Sequence, residues 1–340
     1  MTPLILHYAH KHKWYDEHSH RKIHTTDTPR LGGIGVFLAF VVAALSGLVL
    51  VLSPEQFEVW SKGSIALIIL GMAVMHGLGI YDDFVNLPAP IKFFVQLVSG
   101  GIVAFSGALL RSIDIPFLGV LELPLWLAIP ATVIWIVSIA NAINLIDGAD
   151  GLAGGFSAIS AFFMGLIALG QGNLLTAVIA FALVGALVGF LVFNFPPARI
   201  FMGDSGSLFL GFVLAVLPLL GLYRHSPGAG TVFAVVPTLS ILYLPITDTV
   251  MAIVRRRARG LPVHAADREH IHHRLIDRGH TGRRLLAIIY GGTALFGAAA
   301  MAWFILPRPY GTVVNISLWV IVTVVIMSMG RRRSETGRHV

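Results

Sequence analysis

Residues 174–193 read LLTAVIAFALVGALVGFLVF, twenty positions without one charged side chain. At 1.5 Å per residue a helix of that length covers about 30 Å, the thickness of a bilayer's hydrocarbon core. A helix on a soluble protein shows one polar face, and this stretch has none. Similar runs recur at about 32–52, 64–80, 92–110, 123–140, 155–171, 207–222, 231–250, 285–306 and 311–329, which makes ten candidate spans. The chain therefore reads as an all-α polytopic integral membrane protein, a single domain over residues 1–340. The runs are continuous rather than alternating, so an outer-membrane barrel is excluded. Composition agrees, with 56% hydrophobic and 12% charged residues and a mean hydropathy of +0.81; a soluble domain carries about 25% charged residues. A soluble enzyme, a disordered chain and a nucleic-acid-binding domain fall away on that ground. The absence of cysteine removes disulfides, thiolate metal sites and cysteine nucleophiles. The opening MTPLILHYAH is too short an apolar run for a signal peptide, so no cleavage is expected.

The net charge of +7 has a membrane explanation, because Lys and Arg concentrate in cytoplasmic loops. With ten spans, twenty of the twenty-four Lys and Arg residues fall on one face, in segments 1–31, 81–92, 194–206, 254–284 and 330–340. The other face holds only Lys62, Arg111, Arg224 and Arg308. Both termini, the segment 1–31, the loop 254–284 and the tail 330–340 are therefore expected in the cytoplasm.

The acids follow the same division. Asp82, Asp83, Asp147, Asp150, Asp204 and Asp248 all lie at the cytoplasmic ends of the expected spans. One such residue is most simply a solvated helix end or a cap. Six on one face are a site, since carboxylates near hydrocarbon are costly. Convergent carboxylates without thiolates suit a hard cation such as Mg²⁺. In YDDFVNLPAPIKFFVQL, Asp82 and Asp83 directly follow a span and Lys92 opens the next. In NAINLIDGADGLAGG, Asn141, Asn144, Asp147 and Asp150 recur every three residues, a spacing that shares a helix face. In FMGDSGSLFLGF, Asp204 either caps the following helix or, with Gly203 and Gly206, marks a helix N-terminus suited to phosphate. The loop RRRARGLPVHAADREHIHHRLIDRG places His270, His272 and His273 beside Arg268 and Arg274. These are phosphate donors in kind; zinc is the competing reading, weakened by a spacing other than i, i+4. RKIHTTDTPRLGG offers Arg21, Lys22, His24 and Arg30 at the membrane surface, as anchors or as a grip on a lipid phosphate.

Taken together, RKIHTTDTPRLGG, YDDFVNLPAPIKFFVQL, NAINLIDGADGLAGG, FMGDSGSLFLGF, PITDT and DREHIHHRL resemble the bacterial polyprenyl-phosphate N-acetylhexosamine-1-phosphate transferases. The phospho-N-acetylmuramoyl-pentapeptide transferases belong to the same superfamily. The resemblance implies transfer of a sugar 1-phosphate, dependent on Mg²⁺ (with Mn²⁺ as substitute), from a UDP-N-acetylhexosamine to polyprenyl (undecaprenyl) phosphate. UMP and a polyprenyl-diphospho-sugar would result, at the cytoplasmic surface of the bacterial inner (plasma) membrane. It implies that Asp82 and Asp83 serve the acceptor phosphate, with Lys22, His24 and Lys92 nearby, and that they support Asp204 in holding the metal. Asn144, Asp147 and Asp150 would line the nucleotide and diphosphate pocket. Asp248, Arg268, His270, His272 and His273 would hold the donor. PITDT and HIHHRL lean toward the N-acetylglucosamine-type branch rather than the pentapeptide branch. Of the family's usual earlier span this sequence shows MTPLILHYAH, either because the chain starts late or because its start is truncated, and Asn86 stands where some members carry a third acid. Membrane lipid is an expected partner, nucleic acid is not, and a homodimer is left open. A cation-coupled transporter is the rival class, but transporters bind at the bilayer midplane, and these acids gather at one end.

Overall fold

The computed structural model describes residues 1–12, 14, 28–51, 53, 64–221, 223–224, 231–262, 267 and 269–336. A short helix α1 (Thr2–His12) precedes α2 (Gly32–Val51), α3 (Ser64–Val85) and α4 (Ala89–Phe105). A hairpin of β1 (Ser112–Ile115) and β2 (Gly119–Glu122) leads to α5 (Leu125–Ile146), α6 (Leu152–Gly170), α7 (Leu174–Asn194) and α8 (Gly203–Val216), which ends in a 3-10 turn at Leu217–Leu220. Then come β3 (Tyr223–Arg224), β4 (Thr231–Ala234), α9 (Val235–Ile241), α10 (Tyr243–Ala258), α11 (Ile271–Ile276), α12 (Gly282–Ile305) and α13 (Arg308–Thr336).

Each of the ten apolar runs holds a helix, and the all-α polytopic reading stands. Among the described residues eight helices are long and apolar enough to cross a membrane, nine if α9 and α10 form one bent span. α4, at 17 residues, is shorter. The run 231–250 is not one straight helix: α9 and α10 meet at 80°. Pro245 explains the break, because it offers no N–H to the Ile241 carbonyl and its ring crowds that turn.

α8 lies at the centre, with every residue from Ser205 to Val216 buried. It packs against α2, α3 and α5, so its apolar surface is enclosed on all sides, as expected of a helix without a polar face. Outward residues such as Leu50, Phe105, Val192 and Ile305 are exposed and belong to the lipid-facing surface of a polytopic protein. α7 is pinned at its start by Asn173, whose Oδ1 accepts the Thr176 N–H at 3.1 Å while its Nδ2 donates to the Leu220 and Gly221 carbonyls.

A small sheet was not legible in the apolar pattern. Its order is β2-β1-β4-β3, with β1 antiparallel to β2 and parallel to β4. α4 starts beside the acids and ends before β1, whereas α8 starts at Asp204 and ends before β3. The sheet therefore caps the end of the bundle opposite the acids.

Candidate active site

Asp82 and Asp83 do not follow their span; they sit in its last turn, within α3. Adjacent helical residues point about 100° apart, so the pair divides its labour. Asp83 accepts the backbone N–H of Asp204 at 2.7 Å with one oxygen and that of Ser205 at 3.0 Å with the other. It is the cap of α8, supplied by a different helix. The helix's own N-cap position is Met202, which has no side-chain bond to offer. Asp204 is thus not a cap, and the first-turn N–H groups expected to meet a phosphate already have a carboxylate partner.

Asp82 is buried and points elsewhere. One oxygen accepts the Leu87 N–H at 2.7 Å and the other pairs with Lys92. Lys92 Nζ also reaches Asp204 Oδ2 at 3.2 Å. The other Asp204 oxygen accepts from Asn144 Nδ2 at 3.1 Å, and that amide also meets Ser207 Oγ at 2.9 Å. Four helices, α3, α4, α5 and α8, thereby converge on one carboxylate. One turn further into the bundle, Gln96 and Asn141 bond reciprocally, with Asn141 Nδ2 at 2.6 Å from Gln96 Oε1. This pair fixes the spacing of the helices that carry Lys92 and Asn144.

Close backbone contacts set the same point. A Cβ on Gly33 would overlap the main chain of Gly206, and one on Gly79 would overlap the main chain of Asp204 and Ser205. The segment 28–33 lies along 201–202, with Phe201 N–H to Pro29 O at 2.8 Å, Gly32 N–H to Phe201 O at 2.9 Å and Gly33 N–H to Met202 O at 2.8 Å. That brings the described end of RKIHTTDTPRLGG to FMGDSGS. Lys22, His24 and Arg268 lie outside the described residues.

Asp147 occupies the C-cap of α5, one residue beyond the span. It makes no side-chain hydrogen bond among the described residues. Burial first, and then the negative Asp204 and Asp83 nearby, push its carboxyl up to about 8. Asp150 instead is tied back to the loop before α8, accepting the Ala198 N–H at 3.0 Å. The adjoining Gly151 adopts φ 75°, which favours glycine; its N–H donates to Asn194 Oδ1 and its carbonyl accepts from Tyr290.

The histidines arrive through Asp248. This buried residue of α10 accepts the Ile271 N–H at 2.9 Å with one oxygen and meets His270 Nδ1 at 2.8 Å with the other. It stands behind the histidines, capping α11 and orienting the imidazole. The His270, His272 and His273 rings cluster, with His272 and His273 centroids 4.2 Å apart and tilted by 41°, and the His270 and His272 planes nearly parallel at 5.9 Å. His272 lies over Gly148, where a Cβ would come 2.5 Å from Nε2. The glycine of IDGAD therefore admits a side chain of this protein and joins the loop to the acid cluster. Burial, reinforced by the neighbouring His273, lowers the His272 pKa to about 4. Arg255 pairs with Asp267 at 2.6 Å and Arg259 with Glu269, so these arginines brace the loop.

The donor set is hard oxygen throughout, and an unbonded Asp147 between acidic neighbours suits a cation in kind. Among the described residues no three His, Asp or Glu side chains are arranged to hold a metal ion. Both Asp83 oxygens are taken by α8, and Lys92 lies between Asp82 and Asp204. The zinc reading of the histidines gains no geometry from that.

Known proteins share this chain over most of its length. It is 38% identical over 301 residues to the probable undecaprenyl-phosphate N-acetylglucosaminyl 1-phosphate transferase of Bacillus subtilis, covering 88% of this chain and 80% of that protein. The sequence profile of glycosyl transferase family 4 matches residues 65–222. The chain belongs to glycosyl transferase family 4. Within that family, the decaprenyl-phosphate N-acetylglucosaminephosphotransferase of Mycobacterium tuberculosis is 37% identical over 303 residues, 84% of this chain and 74% of the relative. A phospho-N-acetylmuramoyl-pentapeptide-transferase of Symbiobacterium thermophilum is 30% identical over 299 residues, 82% of each chain. The transporter reading is set aside: this family 4 member is a transferase whose acids meet at one end of its bundle.

Sequence reasoning passed over Ser207, Gln96 and His76. Each is a polar side chain inside an apolar run, which was the available signal.

Proposed function

We propose that the protein transfers N-acetylglucosamine 1-phosphate from a UDP-sugar to polyprenyl phosphate, releasing UMP and a polyprenyl-diphospho-sugar. The observation that carries this is the convergence of Lys92, Asp82 and Asn144 on Asp204 at the mouth of a membrane bundle. There a lipid-borne phosphate and a water-soluble nucleotide meet. Phosphoryl transfer asks for positioning and charge neutralisation more than for covalent help.

Lys92 is a fixed cation of the site, and the two carboxylates hold it in place for the acceptor phosphate. A phosphate monoester has its second pKa near 6, so the acceptor is already largely ionised at neutral pH. Asp82 then serves better as the organiser of Lys92 than as a base. Asp83 acts through α8. On the donor side, neutral His272 and its neighbours His270 and His273 offer imidazole N–H groups to the diphosphate, with Asp248 orienting His270. Lys22, His24 and Arg268 are proposed to add positive charge around both phosphates, and Asp150 to shape the pocket through the 196–200 loop. Mg²⁺, for which Mn²⁺ would substitute, would be held by Asp204 and Asp147, with Asp82 adjacent; when bound it would neutralise charge on the leaving UMP. The site would face the cytoplasm of the bacterial inner membrane, in agreement with the Lys and Arg distribution.

The test uses purified protein with UDP-N-acetylglucosamine, undecaprenyl phosphate and Mg²⁺. UMP release together with a lipid-linked sugar is expected, with no product from UDP-muramoyl-pentapeptide. Product from the pentapeptide donor alone would overturn the choice of donor.

A further inference from the structure

His76 is the one ionisable side chain of α3 within the apolar stretch 64–80, and it is 5% exposed. An ionisable group at such depth is costly and calls for a reason. Its Nδ1 lies 2.9 Å from the Ser205 carbonyl. A carbonyl only accepts, so Nδ1 carries the hydrogen and donates it. One face of the imidazole stacks on Phe37 at 4.0 Å, with planes 6° apart, and the edge of Phe209 lies 5.9 Å away. The ring is therefore held in one orientation by α2 and α8 together.

His76, Gly79 and Asp83 recur at steps of three and four, which places them on one face of α3. All three meet the first turn of α8. Gly79 admits the main chain of Asp204 and Ser205, Asp83 takes their N–H groups, and His76 takes the Ser205 carbonyl. The peptide groups on both sides of Ser205 are thus gripped by a neighbouring helix, one at each end of the same turn. Asp204 is the adjacent residue, and its carboxylate is the point on which Lys92 and Asn144 converge.

We propose that His76 is a positioning residue for the transfer reaction: its Nδ1–H sets the rotation of the first turn of α8 and so aims the Asp204 carboxylate. The proposal rests on the transferase reading above. It makes the hydrogen-bond donor, rather than the aromatic ring, the property that matters. Asn places an amide N–H the same number of bonds from the backbone as His Nδ1, whereas Phe keeps the stack on Phe37 and has no donor.

The experiment measures kcat and KM for UDP-N-acetylglucosamine in wild type, His76→Asn and His76→Phe, in detergent, beside the thermal midpoint of each. His76→Phe should lower kcat about tenfold, which is about 1.4 kcal/mol at the transition state, while KM changes less than twofold. His76→Asn should recover most of that turnover. His76→Met, also without a donor, replaces Phe if the latter does not insert stably, with the same expectation. Wild-type kcat in the donorless variant would overturn the proposal. So would an equal loss in Asn and Phe, or a loss confined to KM. Failure of the wild-type protein itself to make lipid-linked sugar would instead overturn the transferase reading.

Discussion

Replacing Asp83 by Asn separates a scaffold role from a chemical one. Asp83 bonds two consecutive N–H groups of α8 at 2.7 and 3.0 Å. Asn keeps the shape but leaves a single acceptor oxygen, and its NH₂ then faces a backbone N–H. Loss of an N-cap costs about 1–2 kcal/mol. Removing a negative charge from a helix N-terminus costs up to about 1 kcal/mol more. A total of about 1–3 kcal/mol should lower the thermal midpoint by roughly 2–4 °C in a chain of this length, and activity should fall with it as Asp204 loses its aim. Asp82→Asn is the control. Asp82 bonds Lys92 and the Leu87 N–H and meets α8 at the Asp204 side chain rather than at its backbone N–H groups. Its midpoint should fall by less than half as much, while turnover is lost through the freed lysine. Both variants are followed by unfolding in detergent and by UMP release. A full loss of activity in Asp83→Asn with an unchanged midpoint would refute the reasoning and make Asp83 a participant in the chemistry.

Asp204→Asn should cost several kcal/mol, roughly a thousandfold in kcat, across a magnesium titration and with the midpoint little changed; near-wild-type turnover would remove Asp204 from the centre of the site. His272 has its pKa lowered by burial from 6.5 to about 4, so between those values the unfolded chain binds a proton that the folded one does not. Its contribution to stability is present above about pH 6.5 and is lost as pH falls toward 4, about 2 kcal/mol by pH 5; His272→Gln should flatten that part of the stability profile. The His272→Ala, His273→Ala double variant should insert normally and lose turnover, measured by UMP release. Reporter fusions should read external at Pro309 and internal at Arg333, and an external signal at Arg333 would remove the even-span topology.

Much of the fold was written in hydropathy. A charge-free run of twenty residues in a bilayer has one stable backbone solution, and each such run is a helix. The exceptions have local causes. The kink before α10 turns on Pro245, a residue the apolar count treats as neutral. The sheet uses short segments such as SIDI, whose pairing partner Thr231–Ala234 lies more than a hundred residues away, beyond any local pattern. At the site, the acids were visible because charge is scarce in this chain, and Asn144 because it shares their spacing. Their division of labour was not visible. That Asp83 caps α8 and Asp248 caps α11 depends on which helix each one faces, and a sequence does not carry that information. The neighbour of Gly148 is His272, contributed from more than a hundred residues downstream, a contact that no local pattern announces.

The glycine contacts around α8 bear on how such a protein drifts. Gly33 touches the main chain of Gly206, and Gly79 that of Asp204 and Ser205. The position of Asp204 is therefore referenced to backbone atoms, which are the same whatever side chains surround them. Neutral change elsewhere in the bundle, where one aliphatic residue replaces another against lipid, leaves that reference point untouched. The sensitivity is instead concentrated at glycines with no chemistry of their own, Gly33 and Gly79 and also Gly211, which meets the main chain of Ala140. A single added methyl at any of them would shift a helix and, with it, the carboxylate on which the site is built.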